Sequence, residues 1–279
     1  MPPSCAPIHG NYHGYYTKRP FSSDARLAAL PDDLFAGARV LDVGCNEGWV
    51  TCEIAQSHGA NFVVGVDIDA ALVQAAWRRR ISVWSTQAPT GKSEGGDEGG
   101  EEPGSSPPAK KRRRELDVSV APRASYFPAS CEHELGPLPI PPAAHRGKTT
   151  FPHNVAFRAA DWPATSIPED AAGYDVVVGL SISKWIHLND GDAGLRRFFA
   201  RVFAVLRAGG AFVLEPQPWE SYAKARRMDE KLKNNAKSLT IRPADFEALL
   251  TDIGFRPARH FGFVGEGGFS RPIDVYTKP

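Results

Sequence analysis

Apolar positions fall along the chain in two alternating rhythms. Arg39-Val-Leu-Asp-Val43 has the pattern of a short buried strand, and the turn Gly44-Cys-Asn-Glu-Gly48 follows it. From Trp49 to Ser57 the apolar positions 50, 54 and 55 return at helical spacing, and Gly59 supplies a helix stop. Phe62-Val-Val-Gly-Val66 predicts a second strand, closed by Asp67-Ile-Asp69. Ala70 to Arg80, rich in Ala, Leu and Arg, predicts a helix by propensity. Strand and helix in alternation imply a parallel sheet with right-handed crossovers.

The same rhythm returns in the second half. Val155 to Ala159 predicts a strand ending near Asp161, and Tyr174 to Leu180, with Val176-Val-Val, another buried one. Ala193 to Leu206 predicts an amphipathic helix with a stripe of Leu195, Phe198, Phe199, Val202, Phe203 and Leu206. Gly209-Gly210 ends it, and Ala211 to Glu215 predicts the fifth strand. Ala244 to Asp252, introduced by Pro243, predicts a further helix, and Phe255 to Phe263 with Pro272 to Thr277 a closing antiparallel pair. The expected fold class is α/β. A parallel sheet finishing in a hairpin points to the Rossmann-like, class I methyltransferase variant of the doubly wound fold more than to a dinucleotide dehydrogenase.

Between the halves the pattern breaks. Residues 86–150 hold 18 of the chain's 50 Gly and Pro residues, a density typical of disordered segments. Glu94 to Glu102 is acidic, Lys110 to Arg114 is five consecutive bases, and Pro137 to Pro142 is proline-rich. The expected organisation is a single domain over residues 1–279, with 85–150 looping out as a disordered insertion. Closing such a loop costs little extra entropy, and short pieces such as Tyr126-Phe-Pro-Ala could dock on the body. The charge balance, 33 Lys+Arg against 32 Asp+Glu, identifies no polyanion-binding protein by itself. Four irregularly spaced cysteines (Cys5, Cys45, Cys52, Cys131) suggest neither a metal site nor a disulfide framework. No apolar run approaches the ~20 residues of a membrane span, and the start lacks the pattern of a signal peptide. The expectation is an intracellular, reduced protein without a membrane.

Open α/β sheets bind ligands at the carboxyl ends of their strands, and four features fall there. The turn Asp42-Val-Gly44-Cys45-Asn46-Glu47-Gly48 lets backbone approach a ligand and precedes a helix start. Asp67 ends the second strand, where a carboxylate can take both hydroxyls of a ribose. Asp161 can accept a hydrogen bond from an adenine amino group, with Trp162 beside it, and Leu180-Ser181 closes the fourth strand. Glycines in one such turn are as well explained by tight turning alone. The order of all four features points to an adenosyl ligand. Asn46 stands where a pyrophosphate-binding turn would have its second glycine, which favours the amino-acid end of S-adenosylmethionine.

Two segments suggest a substrate. His9 to Pro20 interleaves Tyr12, Tyr15 and Tyr16 with Lys18 and Arg19, suited to stacking on bases and holding phosphates. An aromatic anchor for the N-terminus explains the same composition. Ser181-Ile-Ser-Lys184-Trp-Ile-His187-Leu-Asn189 follows the fourth strand, and its Lys and His are three apart, on one helical face. Two possible cations there suit an anionic substrate, whereas a lone His is often a satisfied core residue and a lone Lys a solvated charge. Glu215-Pro-Gln-Pro-Trp219 adds a rigid rim, and the basic stretch Lys224 to Lys237 reads as a solvated helix face.

Gly10-Asn-Tyr12, Leu41-Asp-Val-Gly-Cys-Asn-Glu-Gly48, Gly65-Val-Asp-Ile-Asp69, Leu180 to Asn189 and Leu214-Glu-Pro-Gln-Pro-Trp219 together resemble the Bicoid-interacting-protein family of RNA 5′-phosphate methyltransferases, the methylphosphate capping enzymes. The resemblance covers nearly the whole chain outside the insertion. It implies S-adenosyl-L-methionine as cofactor, held by Tyr16, Arg26, Gly44, Cys45, Asn46, Asp67, Ile68, Asp161, Trp162 and Leu180. It places Tyr15, Arg19, Lys184 and His187 around the 5′-terminal (gamma) phosphate of a small non-coding RNA. One departure is Ala160-Asp161-Trp162 after the third strand, where many members carry Gly-Asn-Tyr; Asp keeps an acceptor for adenine. The resemblance further implies RNA binding and RNA capping by a monomeric enzyme. The basic run at 110–114 then suggests the nucleus, with the cytoplasm the alternative. Two other functions remain open: a stable RNA-binding subunit of a small ribonucleoprotein, with partner proteins and secondary or lost activity, and a small-molecule or protein methyltransferase.

Overall fold

The computed structural model describes residue 10 and residues 23–88, 126–265 and 270–279. Among them run α1 (Ala25–Ala28), β1 (Arg39–Val43), α2 (Trp49–Ser57), β2 (Phe62–Asp67) and α3 (Ala70–Thr86). Next come α4 (Ala129–Leu135), α5 (Ala143–Arg146), β3 (Val155–Ala159), β4 (Tyr174–Leu180) and α6 (Ser183–Val205). β5 (Leu206–Glu215), α7 (Glu220–Ala225), α8 (Glu230–Asn235), α9 (Phe246–Ile253), β6 (Arg259–Val264) and β7 (Arg271–Thr277) complete the order. The sheet runs β3-β2-β1-β4-β5-β7-β6, parallel through β5, with β7 antiparallel to β5 and β6. This is the class I S-adenosylmethionine-dependent methyltransferase topology expected from the strand pattern.

Continuous Val and Leu runs become strands because both sheet faces are covered. Val40, Val63, Val155, Val176 and Val213 point into a core with Val50 and Ile54 of α2 and Val73 and Ala76 of α3. Their neighbours Leu41, Val64, Val177, Phe212 and Leu214 point the other way, onto Leu195, Phe198, Phe199 and Val202 of α6 and Phe246 and Leu250 of α9. No helix among the described residues is long and apolar enough to cross a membrane.

The structure differs from the expected pattern in three places. α6 starts at Ser183, ten residues earlier than its apolar stripe suggests, and bends at Gly191, whose backbone is non-helical. β5 starts at Leu206, ahead of the glycine pair, because Leu206 pairs with Tyr174. α3 continues through Thr86, and residues 126–150, expected within a disordered loop, pack along its end. Tyr126 N–H donates to Thr86 O (2.7 Å), Ser82 Oγ to Glu132 (2.6 Å) and Leu138 N–H to Ser85 Oγ (2.8 Å). Trp84 Nε1 donates to Pro139 O (3.1 Å) while Arg146 lies over its ring. Proline-rich composition here accompanies an extended chain that α3 satisfies with hydrogen bonds. The rest of the insertion, including the basic run at 110–114, lies outside the described residues.

Candidate active site

The carboxyl ends of β1, β2, β4 and β5 converge on one edge of the sheet. After β1 the chain turns sharply, with Gly44 and Gly48 at positive φ (78° and 76°) and Asn46 at 52°. Side chains are excluded at both glycines. A Cβ on Gly44 would lie 2.8 Å from Ile182 Cδ1, and one on Gly48 would lie 2.8 Å from the Phe157 ring. Gly44 and Cys45 N–H groups donate to Val66 O, which fixes the turn to β2. Cys45 itself is buried, and burial pushes its thiol well above its usual pKa, so only its backbone is available to a ligand.

Asp67 lies where a ribose-binding carboxylate is expected. Its Oδ2 accepts from Asn46 N–H (2.9 Å) and its Oδ1 from Asp69 N–H (3.0 Å), so backbone amides aim the group. Burial raises its pKa, and the two amides counter that rise. Ile68 beside it is 40% exposed, an apolar surface of the kind an adenine ring covers. Half-buried Asp161 follows β3, its carbonyl tied to Ala164 and Thr165 N–H groups. Leu180 is half-buried at the end of β4. An orienting carboxylate, an apolar ledge and a turn without side chains fit S-adenosylmethionine.

Trp162 departs from the expected set. It is 1% exposed, packs edge-on to Phe198, and donates Nε1–H to Asp170 (3.2 Å) with Arg201 over its ring. The indole belongs to the α6 side of the core, because the chain turns inward after Asp161. Only the backbone of Trp162 could reach a cofactor. Tyr16, expected at the cofactor, and Tyr15 and Arg19, expected at the substrate, lie outside the described residues.

Arg26, expected at the cofactor, is 2% exposed. It grips Asp24 through Nε (2.9 Å) and Nη2 (2.6 Å), and donates through Nη1 to Glu215 (3.1 Å) at the end of β5. Glu215, fully buried, also accepts from Ser181 Oγ, and Arg271 Nη1 stands 4.0 Å away. Asp24, Arg26, Glu215 and Arg271 thus alternate in sign beneath the site. Asp42 belongs to the same floor. Burial raises its carboxyl to about 6, against a hydrogen bond from Thr51 Oγ1 (2.6 Å) and the charge of Arg26. A carboxyl with a raised native pKa binds its proton more tightly when folded, so stability falls as pH rises from the unfolded to the folded value. Cofactor-free protein should therefore lose about 3 kcal/mol between about pH 4 and 6 on this account alone. Asp42→Asn should match wild type at pH 4 and exceed it at pH 7 in urea melts. Parallel pH profiles for the two proteins would refute this.

The substrate side is the turn between β4 and α6. Ser181 has φ of 60°, unusual for a residue with a side chain. Its carbonyl accepts from Gln217 Nε2, its N–H donates to Glu215 O (3.2 Å), and its Oγ accepts from Arg271 Nη1. Gln217 Oε1 also accepts from Lys184 N–H (3.1 Å) and Ser183 Oγ (3.3 Å). The rigid Glu215-Pro-Gln-Pro segment is thus the clamp of the turn, beyond the rim expected for it.

Lys184 is 8% exposed, with Nζ donating to Ser221 Oγ (3.3 Å) and lying 4.7 Å from the Trp185 ring centroid. Burial first, then the charges of Arg271 and Lys224, push its pKa down to about 8. The second expected cation is not one. His187 is fully buried, its Nε2–H donating to Asp192 (2.6 Å) and its Nδ1 accepting from Tyr222 O–H (3.3 Å). Burial lowers its pKa despite Asp192, so it is neutral at pH 7. For Asp192, burial is outweighed by hydrogen bonds from His187 and Thr240, which hold it at about 2. The pair ties α6 to Thr240 and Ile241, so the imidazole is spent on bracing the helix that carries Lys184. Arg271, Gln217 and Ser221 are site residues that no motif singled out individually.

The profile described as Bicoid-interacting protein 3 (Bin3) matches residues 174–278, from β4 to the end of β7. A probable RNA methyltransferase of Arabidopsis thaliana is 31% identical over 96% of this chain and 79% of that protein. This chain belongs to the Bin3 family. Other Bin3 relatives include the human 7SK snRNA methylphosphate capping enzyme, 36% identical over 97% of this chain and 39% of that protein. A U6 snRNA methylphosphate capping enzyme of Drosophila melanogaster is 28% identical, over 97% and 74% respectively. The chain spans about two-fifths of the length of the human and mouse relatives. In this Bin3 chain the profile match includes the clamped turn, Lys184 and Arg271, and begins after the cofactor turn.

Proposed function

We propose that this chain transfers a methyl group from S-adenosylmethionine to an oxygen of the 5′-terminal gamma phosphate of a small non-coding RNA. The observation that carries the reading is the buried Lys184 on the turn after β4, its amine held by Ser221 at 3.3 Å, with Arg271 on Ser181 behind it and Lys224 of α7 adding positive charge nearby. Such a cluster suits a substrate end bearing several negative charges. The relatives' printed names, snRNA methylphosphate capping enzymes, agree with it.

Asp67, the Gly44–Asn46 backbone, Ile68 and Asp161 would hold the cofactor, which supplies an electrophilic methyl on a sulfonium. A phosphate oxygen is ionised at neutral pH, so the protein needs no base to activate it. Its tasks are to bind the phosphate, hold one oxygen in line and exclude competing orientations. Lys184 meets the charge. Gln217 fixes the backbone from which it projects.

The test is methyl transfer from labelled S-adenosylmethionine to one short RNA hairpin carrying a 5′-hydroxyl, monophosphate or triphosphate. Label on the triphosphate form alone is the expected result. Equal label on the 5′-hydroxyl form would overturn the reading, and label on the monophosphate alone would reassign the substrate end. RNA and cofactor binding without any label would favour the ribonucleoprotein-subunit function.

A further inference from the structure

The cofactor turn touches the substrate turn directly, and buried charges beneath them join Arg26 of α1 to the substrate turn. The apolar link is Gly44 against Ile182, where a single added carbon would meet Ile182 Cδ1 at 2.8 Å. The polar link is Glu215, whose Oε2 accepts from Arg26 on one side and from Ser181 Oγ on the other, with Arg271 completing the far end. Between these links stands Ser181, held at positive φ by partners on its N–H, its carbonyl and its hydroxyl. A residue kept in a sparsely populated conformation by so many contacts marks a place where strain serves function. Three residues on is Lys184, so the setting of Ser181 determines where the Lys184 amine lies.

We infer that Arg271 is a positioning residue that, through Ser181 and Glu215, couples occupation of the cofactor turn to grip on the RNA 5′ phosphate. The inference rests on the function proposed above. Binding of either ligand orders the shared Ser181 turn, so the second ligand meets a turn already set. Coupling of this kind is reciprocal: RNA tightens the cofactor by the factor by which cofactor tightens RNA.

The experiment measures the affinity of S-adenosylhomocysteine for the full chain, with and without saturating 5′-triphosphorylated hairpin RNA. Wild type should bind it at least about fivefold more tightly when RNA is present. Arg271→Gln should bring that ratio close to one while leaving affinity without RNA within about threefold of wild type. Arg271→Lys, which retains a donor to Ser181, should restore most of the ratio. A merely structural role would lower affinity equally with and without RNA, and that result, or an unchanged ratio, overturns the inference. Should Arg271→Gln fail to fold, Ser181→Gly decides, because it keeps every buried charge and removes the hydroxyl and the positive-φ constraint. Retention of the full ratio in Ser181→Gly would be equally fatal. Absence of phosphate-dependent methyl transfer in wild type defeats the proposed function, whereas normal transfer without coupling defeats only this inference.

Discussion

Glu215→Ala is expected to destabilise the protein by about 3–5 kcal/mol, the usual cost of removing one partner from a buried charge pair. The carboxylate is fully buried, and its loss removes a negative charge that both Arg26 and Arg271 face. In a domain of this size the melting temperature should fall by about 10 °C. The more diagnostic form is a cycle. Glu215→Gln and Arg271→Gln combined should cost less than the sum of the two singles, by about 1–3 kcal/mol, because both changes act on one buried charge network. Strict additivity in denaturant melts would mean that the two side chains do not share one energetic unit.

Lys184→Ala is expected to lower methyl transfer to RNA about 10–100-fold in kcat/KM, the range for losing a hydrogen bond to a charged group. Cofactor affinity in the absence of RNA should stay unchanged. The pH profile sharpens the test. The amine of Lys184, held near 8 by burial and by Arg271 and Lys224, loses its proton as pH rises, so kcat/KM for RNA should fall above that value. Between pH 7 and 9 the loss should be roughly tenfold, from the change in protonated fraction. Lys184→Arg, which keeps its charge throughout, should flatten this limb even if its absolute rate is lower. A flat wild-type profile over that interval, or equal loss of cofactor binding in the alanine variant, would remove Lys184 from the role.

The strands were legible because burial on both faces leaves little choice of residue: Val63-Val64 and Val176-Val-Val can be little else in a chain of this rhythm. The cofactor turn was legible for a related reason, since glycine at positive φ is written directly into sequence. What escaped depends on distant contacts. The stretch read as one solvated helix face divides into α7 and α8, six residues each, held by such contacts as Asn235 Nδ2 to Leu188 O (2.9 Å), which no local periodicity records. His187 looks in sequence like a partner of Lys184 on one helix face. Its neighbours Tyr222 and Asp192, the first 35 positions away, turn it into a neutral brace. Arg271 carries no local signal beyond a proline after it, and its meaning arises only when β7 sets it beside Ser181, 90 residues earlier in the chain. Beyond the Tyr126-Phe-Pro-Ala piece expected to dock, the packing of residues up to 150 on α3 was hidden by composition, because prolines that disfavour helix do not disfavour an extended chain with somewhere to lie.

The order β5-β7-β6 has a consequence for biosynthesis. The strand made last among the seven lies inside the sheet, flanked by β5 and by β6, which is made before it. While the nascent chain is still short of residue 277, β5 presents an open edge and β6 has no partner, so the intermediate carries two unsatisfied strand borders. Arg271 arrives with the same strand. A chain truncated before this strand would carry the turn after β1 but no Arg271 beside Ser181, and would keep both strand borders open. Closure of the sheet and the arrival of Arg271 beside Ser181 therefore depend on one and the same strand.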